Sequence, residues 1–123
     1  MVIKEFTDLY AWQKGHQLVL EIYKLTKKFP TNEMYGLCDQ LKRASVSITS
    51  NIAEGFGRQG IKEKIQFYYL ANGSTTEVKN QLLIARDVGY ISPTDFTKIE
   101  NLLLDTHHLL LALISKTKSF YHN

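Results

Sequence analysis

The side chains that could do chemistry are few and scattered. Four histidines, His16, His107, His108 and His122, are available to bind a metal or move a proton. A di-metal site in a helical protein uses Glu-x-x-His on two helices together with further carboxylates. None of the four has a Glu three residues before it, and Asp105 with His108 is the one acid–histidine pair at that spacing. The ligand count falls short of a metal centre, so no metal and no other cofactor is expected. His107 and His108 read as surface or interface polar groups. An Arg and a His about a turn apart would suit a ribonuclease, but Arg43, Arg58 and Arg86 have no histidine within the six residues that follow. Cys38 falls near a helix start, where the dipole lowers a thiol's pKa. It has no apparent base partner and reads as a small hydrophobe. The run Gly55-Phe-Gly-Arg-Gln-Gly60 lacks the Gly-Lys-Ser/Thr ending of a phosphate loop and reads as a helix-ending turn. The expectation is a protein that is not an enzyme.

One polar pattern stands out. Arg43, Ser47, Asn51, Glu54 and Arg58 are spaced by 4, 4, 3 and 4 and share one face of a helix. As a structural seam, the line fixes helix packing or a subunit contact. As a binding element, it presents Arg43 and Arg58 to phosphate. The seam is favoured because Glu54 lies between the arginines and opposes their field. Further cations cluster loosely: Lys24, Lys27 and Lys28 with Lys42 and Arg43, then Lys62 and Lys64, then Lys116 and Lys118. On a monomer these form a solvated face. Repeated in an assembly, they become a band that holds RNA or DNA nonspecifically. The candidate nucleic-acid contacts are Lys42, Arg43, Arg58, Lys62 and Lys64.

Four helices position these residues. Thr7 is the expected cap of a first helix from about Asp8 to Lys28, with one stripe at Leu9, Trp12, His16, Val19 and Tyr23 and a second at Leu18, Ile22, Leu25 and Phe29. Pro30 ends it. Thr31 or Asn32 is the expected cap of a second helix that runs to about Phe56 and carries Leu37, Leu41, Ala44, Ile48 and Ile52. This helix is dense in Ala, Ser and Gly, so packing rather than propensity must hold it. Gly55, Gly57 and Gly60 then break the chain. A third helix, about Ile61 to Val88, is expected to bury Phe67, Leu70, Ala71, Ser74, Val78, Leu82 and Ala85, with Gly89 at C′. Ser92-Pro93-Thr94-Asp95 starts a fourth, to about Ser119. Its leucines surround much of its circumference, so part of that surface is expected to meet another subunit. Long helices with short connections give an all-α, antiparallel up-down-up-down bundle.

Composition sets the frame. The chain has 123 residues, 44% hydrophobic and 22% charged, which suits a single domain over 1–123. One cysteine excludes an internal disulfide and fits a reducing cytoplasm. The first residues contain no apolar signal region. The longest uncharged stretch near the C-terminus, 106–115, is far short of the ~20 residues that span a bilayer. A cytoplasmic protein without membrane contact is expected. A net charge of +3 is too small for one chain to coat nucleic acid. The competing reading is an adaptor for a polymerase or another enzyme, without direct nucleic-acid contact.

Several segments carry a family resemblance: Phe6-Thr-Asp-Leu-Tyr-Ala-Trp-Gln13, Phe29-Pro30, Glu33-Met-Tyr-Gly-Leu37, and above all 40–55, Gln-Leu-Lys-Arg-Ala-Ser-Val-Ser-Ile-Thr-Ser-Asn-Ile-Ala-Glu-Gly. Phe67, Ala71, Gly73-Ser74, Glu77 and the 82–90 segment continue it. The chain resembles the four-helix-bundle proteins encoded in intervening sequences of bacterial 23S rRNA genes, also labelled S23 ribosomal proteins. Thr49 stands where many relatives carry proline, and Gly60 where serine is frequent. The resemblance implies a homopentameric ring, similar to the basic barrel of the accessory variability determinant of diversity-generating retroelements, which works with a reverse transcriptase and binds nucleic acid. It brings no catalytic residue. Five copies would carry +15 in place of +3.

Overall fold

The computed structural model describes residues 2–120. Among them are four α-helices: α1 Tyr10–Thr26, α2 Leu37–Gly57, α3 Ile61–Asp87 and α4 Pro93–Ser119. Two short 3-10 turns, Phe6–Asp8 and Thr31–Glu33, precede α1 and α2, and there is no strand among the described residues. The chain is all-α, as expected. His122 lies outside the described residues. Each helix packs on two others: α1 on α2 and α4, and α3 on α2 and α4. Buried side chains from all four helices form one cluster.

Local chemistry explains where the helices begin and end. Ser92 caps α4 as its sequence suggests, with its hydroxyl accepting the Asp95 N–H at 3.1 Å and Pro93 in the first turn. Gly89 adopts a φ of 87°. Tyr90 N–H then reaches Ala85 O at 2.8 Å, and Gly89 N–H reaches Arg86 O at 3.0 Å. This is the Schellman arrangement that closes α3.

Three starts or ends differ from expectation. Thr7 does not cap α1. Instead the Asp8 carboxylate accepts the backbone N–H groups of Lys4 and Glu5, at 2.9 and 3.0 Å, and folds 6–8 into a turn. Those two donors hold the Asp8 carboxyl below its ordinary pKa. The far end of α1 is Thr26 rather than Lys28. Neither Thr31 nor Asn32 caps α2, which begins at Leu37 behind Gly36. Glu33 is shared: one carboxylate oxygen accepts the Tyr90 hydroxyl at 2.9 Å and the other the Leu37 N–H at 3.5 Å, so 31–36 becomes a connection rather than a first turn.

The buried faces also adjust. On α1 the core face is Ala11, Gly15, Leu18, Ile22 and Leu25, with Phe29 beyond it. The expected first stripe is only partly buried: Leu9 and Val19 are buried, whereas Trp12 is half-buried, His16 and Tyr23 are exposed, and Trp12 stacks on His16 at 4.7 Å. A Cβ on Gly15 would lie 3.2 Å from Thr49 Cγ2, so α1 and α2 meet where α1 has no side chain. On α2 the buried Leu37, Leu41, Ala44, Ile48 and Ile52 match expectation. On α3, Tyr68 replaces Leu70 in the core, and burial pushes its phenol up to about 12. A helix packed on both α2 and α4 needs two adjacent stripes, and Leu70 falls outside both with 52% exposure.

Candidate nucleic-acid interface

Two groups of candidate cations lie far apart. Lys42 and Arg43 are early in α2, and Arg58 follows its end. Fifteen residues of helix separate Arg43 from Arg58, roughly 22 Å at the usual rise. The Lys42 ammonium lies 5.0 Å from the Tyr23 ring centroid. Arg43 is bound to Asp39 at 2.9 Å on the exposed side of α2.

The second group gathers where α2 turns into α3. Arg58 is the C-cap residue of α2, in extended conformation, with its N–H on Gly55 O at 3.2 Å. Its guanidinium lies 4.7 Å from the Phe67 ring centroid. Glu54 and Glu63 flank it at 3.6 and 3.9 Å, distances too long for firm hydrogen bonds. Lys64 donates to Phe56 O at 2.6 Å and lies 5.3 Å from the Phe56 ring centroid. It is half-buried, and burial pushes its pKa down. A cation at the C-terminal carbonyls of α2 complements the helix dipole, so Lys64 has a structural task in this turn. Lys62 is exposed on the first turn of α3. Gly60, the N-cap of α3, offers no side-chain cap.

The five-residue polar line divides between core and surface. Ser47 Oγ and Ser74 Oγ are 2.9 Å apart, and Asn51 Nδ2 donates to Ser47 O and Oγ at 2.9 and 3.1 Å. These residues join α2 to α3. Arg43, Glu54 and Arg58 lie at the surface and pair locally. The line therefore holds a short hydroxyl-and-amide seam flanked by exposed charges.

Sequence reasoning missed the aromatic partners. Phe67 is not in the core stripe but beneath Arg58, and Tyr69 receives Lys118 both on its hydroxyl and over its ring. A cation nine residues from an aromatic across a glycine turn was the available signal. Cys38 is buried with its thiol on Thr26 O at 3.6 Å, and burial raises its pKa. That environment opposes thiolate formation. His107 Nδ1 lies 2.7 Å from Asn72 Oδ1. Among the described residues, no three His, Cys, Asp or Glu side chains gather as a metal would require. No helix there is long and apolar enough to cross a membrane.

The α1–α4 side is concave. A groove of about 650 Å³ is floored by Leu20 and Leu102 and edged by Glu21, Lys24, Lys98 and Asp105. A second, of about 310 Å³, lies among Ile3, Tyr10, Leu113 and Lys116.

The sequence model of the 23S rRNA-intervening sequence protein family matches residues 7–112. A solved structure of a protein of unknown function from the S23 ribosomal protein family of Bacteroides thetaiotaomicron is similar, with a TM-score of 0.79 at 22% identity. The match covers 85% of this chain and 95% of that one and shows a shared fold. No curated protein matches.

Proposed function

The chain belongs to the 23S rRNA-intervening sequence protein family, and from that premise we propose that it is a non-enzymatic, self-assembling bundle that holds RNA or DNA without sequence preference. Its helices run up-down-up-down, in keeping with short connections and with each helix touching two neighbours. It assembles into a homopentameric ring in the bacterial cytoplasm. The observation that carries assembly is apolar surface left on the outside of α1 and α4. Leu20, Tyr23, Leu104 and Leu111 each keep between 41% and 50% of their surface exposed. Leu20 lies with Leu102 along the groove between α1 and α4, and an exposed apolar patch of that kind marks a partner surface. Binding is supported by Lys118, an exposed cation held on the hydroxyl and ring of Tyr69 rather than on an acid.

Light scattering at micromolar concentration tests assembly. A particle of five chains is expected, and a stable monomer overturns the reading. RNA and DNA binding followed against salt tests the second half, with a steep loss of affinity as salt rises. Absence of binding to either at low salt overturns it.

A second reading, the adaptor, is favoured by the α1–α2 connection. Met34 is 54% exposed and Tyr35 is 91% exposed there, and both residue types are enriched at protein interfaces. If nucleic acid does not bind, a partner enzyme captured from the native host should be lost on Tyr35→Ala.

A further inference from the structure

We propose that Arg58 is a stacking platform for an unpaired nucleobase rather than a phosphate contact. This rests on the nucleic-acid reading above and names the form of strand it serves. The guanidinium is held on three sides. Phe67 supports it at 4.7 Å, Glu54 approaches one terminal nitrogen at 3.6 Å, and Glu63 approaches the other at 3.9 Å. A phosphate seeking the N–H edge would meet two carboxylates already there, and like charges at such distances repel. The side chain is nonetheless 45% exposed, so a surface of the group remains open to solvent.

That remaining surface suits a base. Guanidinium planes stack on flat π systems, and unpaired bases are commonly held in this way. A neutral base carries no charge for Glu54 and Glu63 to repel. The same carboxylates that cancel Arg58 as a phosphate ligand draw its terminal nitrogens toward them, and the ring beneath supports its plane. The platform is thus ordered before the base arrives, which lowers the entropic cost of stacking. A base-paired duplex offers no free base face away from its ends, so the site selects single strands.

Fluorescence anisotropy on the assembled protein tests this with a labelled unstructured RNA strand, the DNA strand of the same sequence, and the corresponding RNA duplex. The native protein should bind a single strand more tightly than the duplex. Arg58→Lys keeps the charge and loses the plane, so single-strand affinity should fall about fivefold or more. Duplex affinity and the salt slope should stay unchanged. Phe67→Leu should act in the same direction through loss of support, and thermal unfolding of each variant confirms that the bundle persists. Loss on RNA, on DNA or on both supports the platform and identifies the strand it accepts. Single-strand affinity of Arg58→Lys equal to native, or no preference over duplex, overturns this inference alone. No binding to any of the three overturns the nucleic-acid reading and the platform with it.

Discussion

The α2–α3 seam and the α1–α4 seam join their helices by opposite means. Between α2 and α3 the contact is made by absence of bulk. A Cβ on Gly55 would fall 2.7 Å from the Tyr68 ring and 2.9 Å from Phe67 Cβ. Ala44 and Ser45 of α2 and Ala71 of α3 are also buried, and the hydroxyls of Ser47 and Ser74 meet at 2.9 Å. Between α1 and α4 longer side chains leave grooves, bridged at the surface by Lys28 to Asp95 at 3.2 Å and Lys98 to Glu21 at 3.5 Å. Exposed ion pairs of that kind contribute only ~0–1 kcal/mol. Small residues finish a seam within one chain, whereas long ones leave concave apolar ground for another molecule.

Substitutions can break or sharpen this contrast. Leu41 is wholly buried in α2, and Leu41→Ala should cost about 2–5 kcal/mol by denaturant unfolding. Leu20→Ala, at a half-exposed site in the α1–α4 groove, should change the unfolding free energy of the isolated chain by less than about 0.5 kcal/mol. Similar losses at the two sites would erase the distinction. Gly55→Ala is next. Alanine is the better helix former, but its methyl has rigid neighbours within 3.0 Å. The clash wins, and a net loss of about 1–3 kcal/mol is expected from overpacking. A stabilised variant would mean that the seam can open freely. The control is Gly73→Ala on α3, where a Cβ meets nothing within 4 Å. There the midpoint should rise, by a gain of about 0.5–1 kcal/mol. Smallest is Glu21→Gln, which removes the acid facing both Lys24 and Lys98. Its cost should stay below ~1 kcal/mol and disappear in high salt. A larger, salt-insensitive loss would make the α1–α4 side as self-sufficient as the other.

The parts of the fold written in local chemistry were legible. Ser92-Pro93 and Gly89 act through neighbouring backbone groups, so the sequence alone places them. The α2 core stripe was equally plain, because its large apolar residues face one way. The α1 face was not, since its contact with α2 runs through Gly15, and the small Gly15 and Ala11 carry no strong apolar signal. Trp12 and Tyr23 advertise hydrophobicity yet sit at the margin, where amphipathic rings are comfortable. The start of α2 was misplaced because Glu33 bonds to a residue 57 positions away. At the candidate interface, Arg58 and Lys64 were visible as cations. Their aromatic supports were not, because the turn geometry that brings Phe67 under Arg58 is a tertiary fact.

The hydrogen bond from Tyr90 to Glu33 has a consequence for how the bundle opens. It fastens the α3–α4 connection to the α1–α2 connection, with the Phe29 and Tyr90 rings 5.4 Å apart beside it. Neither connection can then fray without stripping the other of a partner. Amide exchange around Leu37 and around Tyr90 should accordingly proceed through a shared opening event rather than two independent ones. The carboxylate raises the phenol's pKa above its ordinary 10.0, so the fastening persists under alkali that would ionise a free tyrosine. Once pH passes the raised value, two anions face each other, and what held the connections together drives them apart.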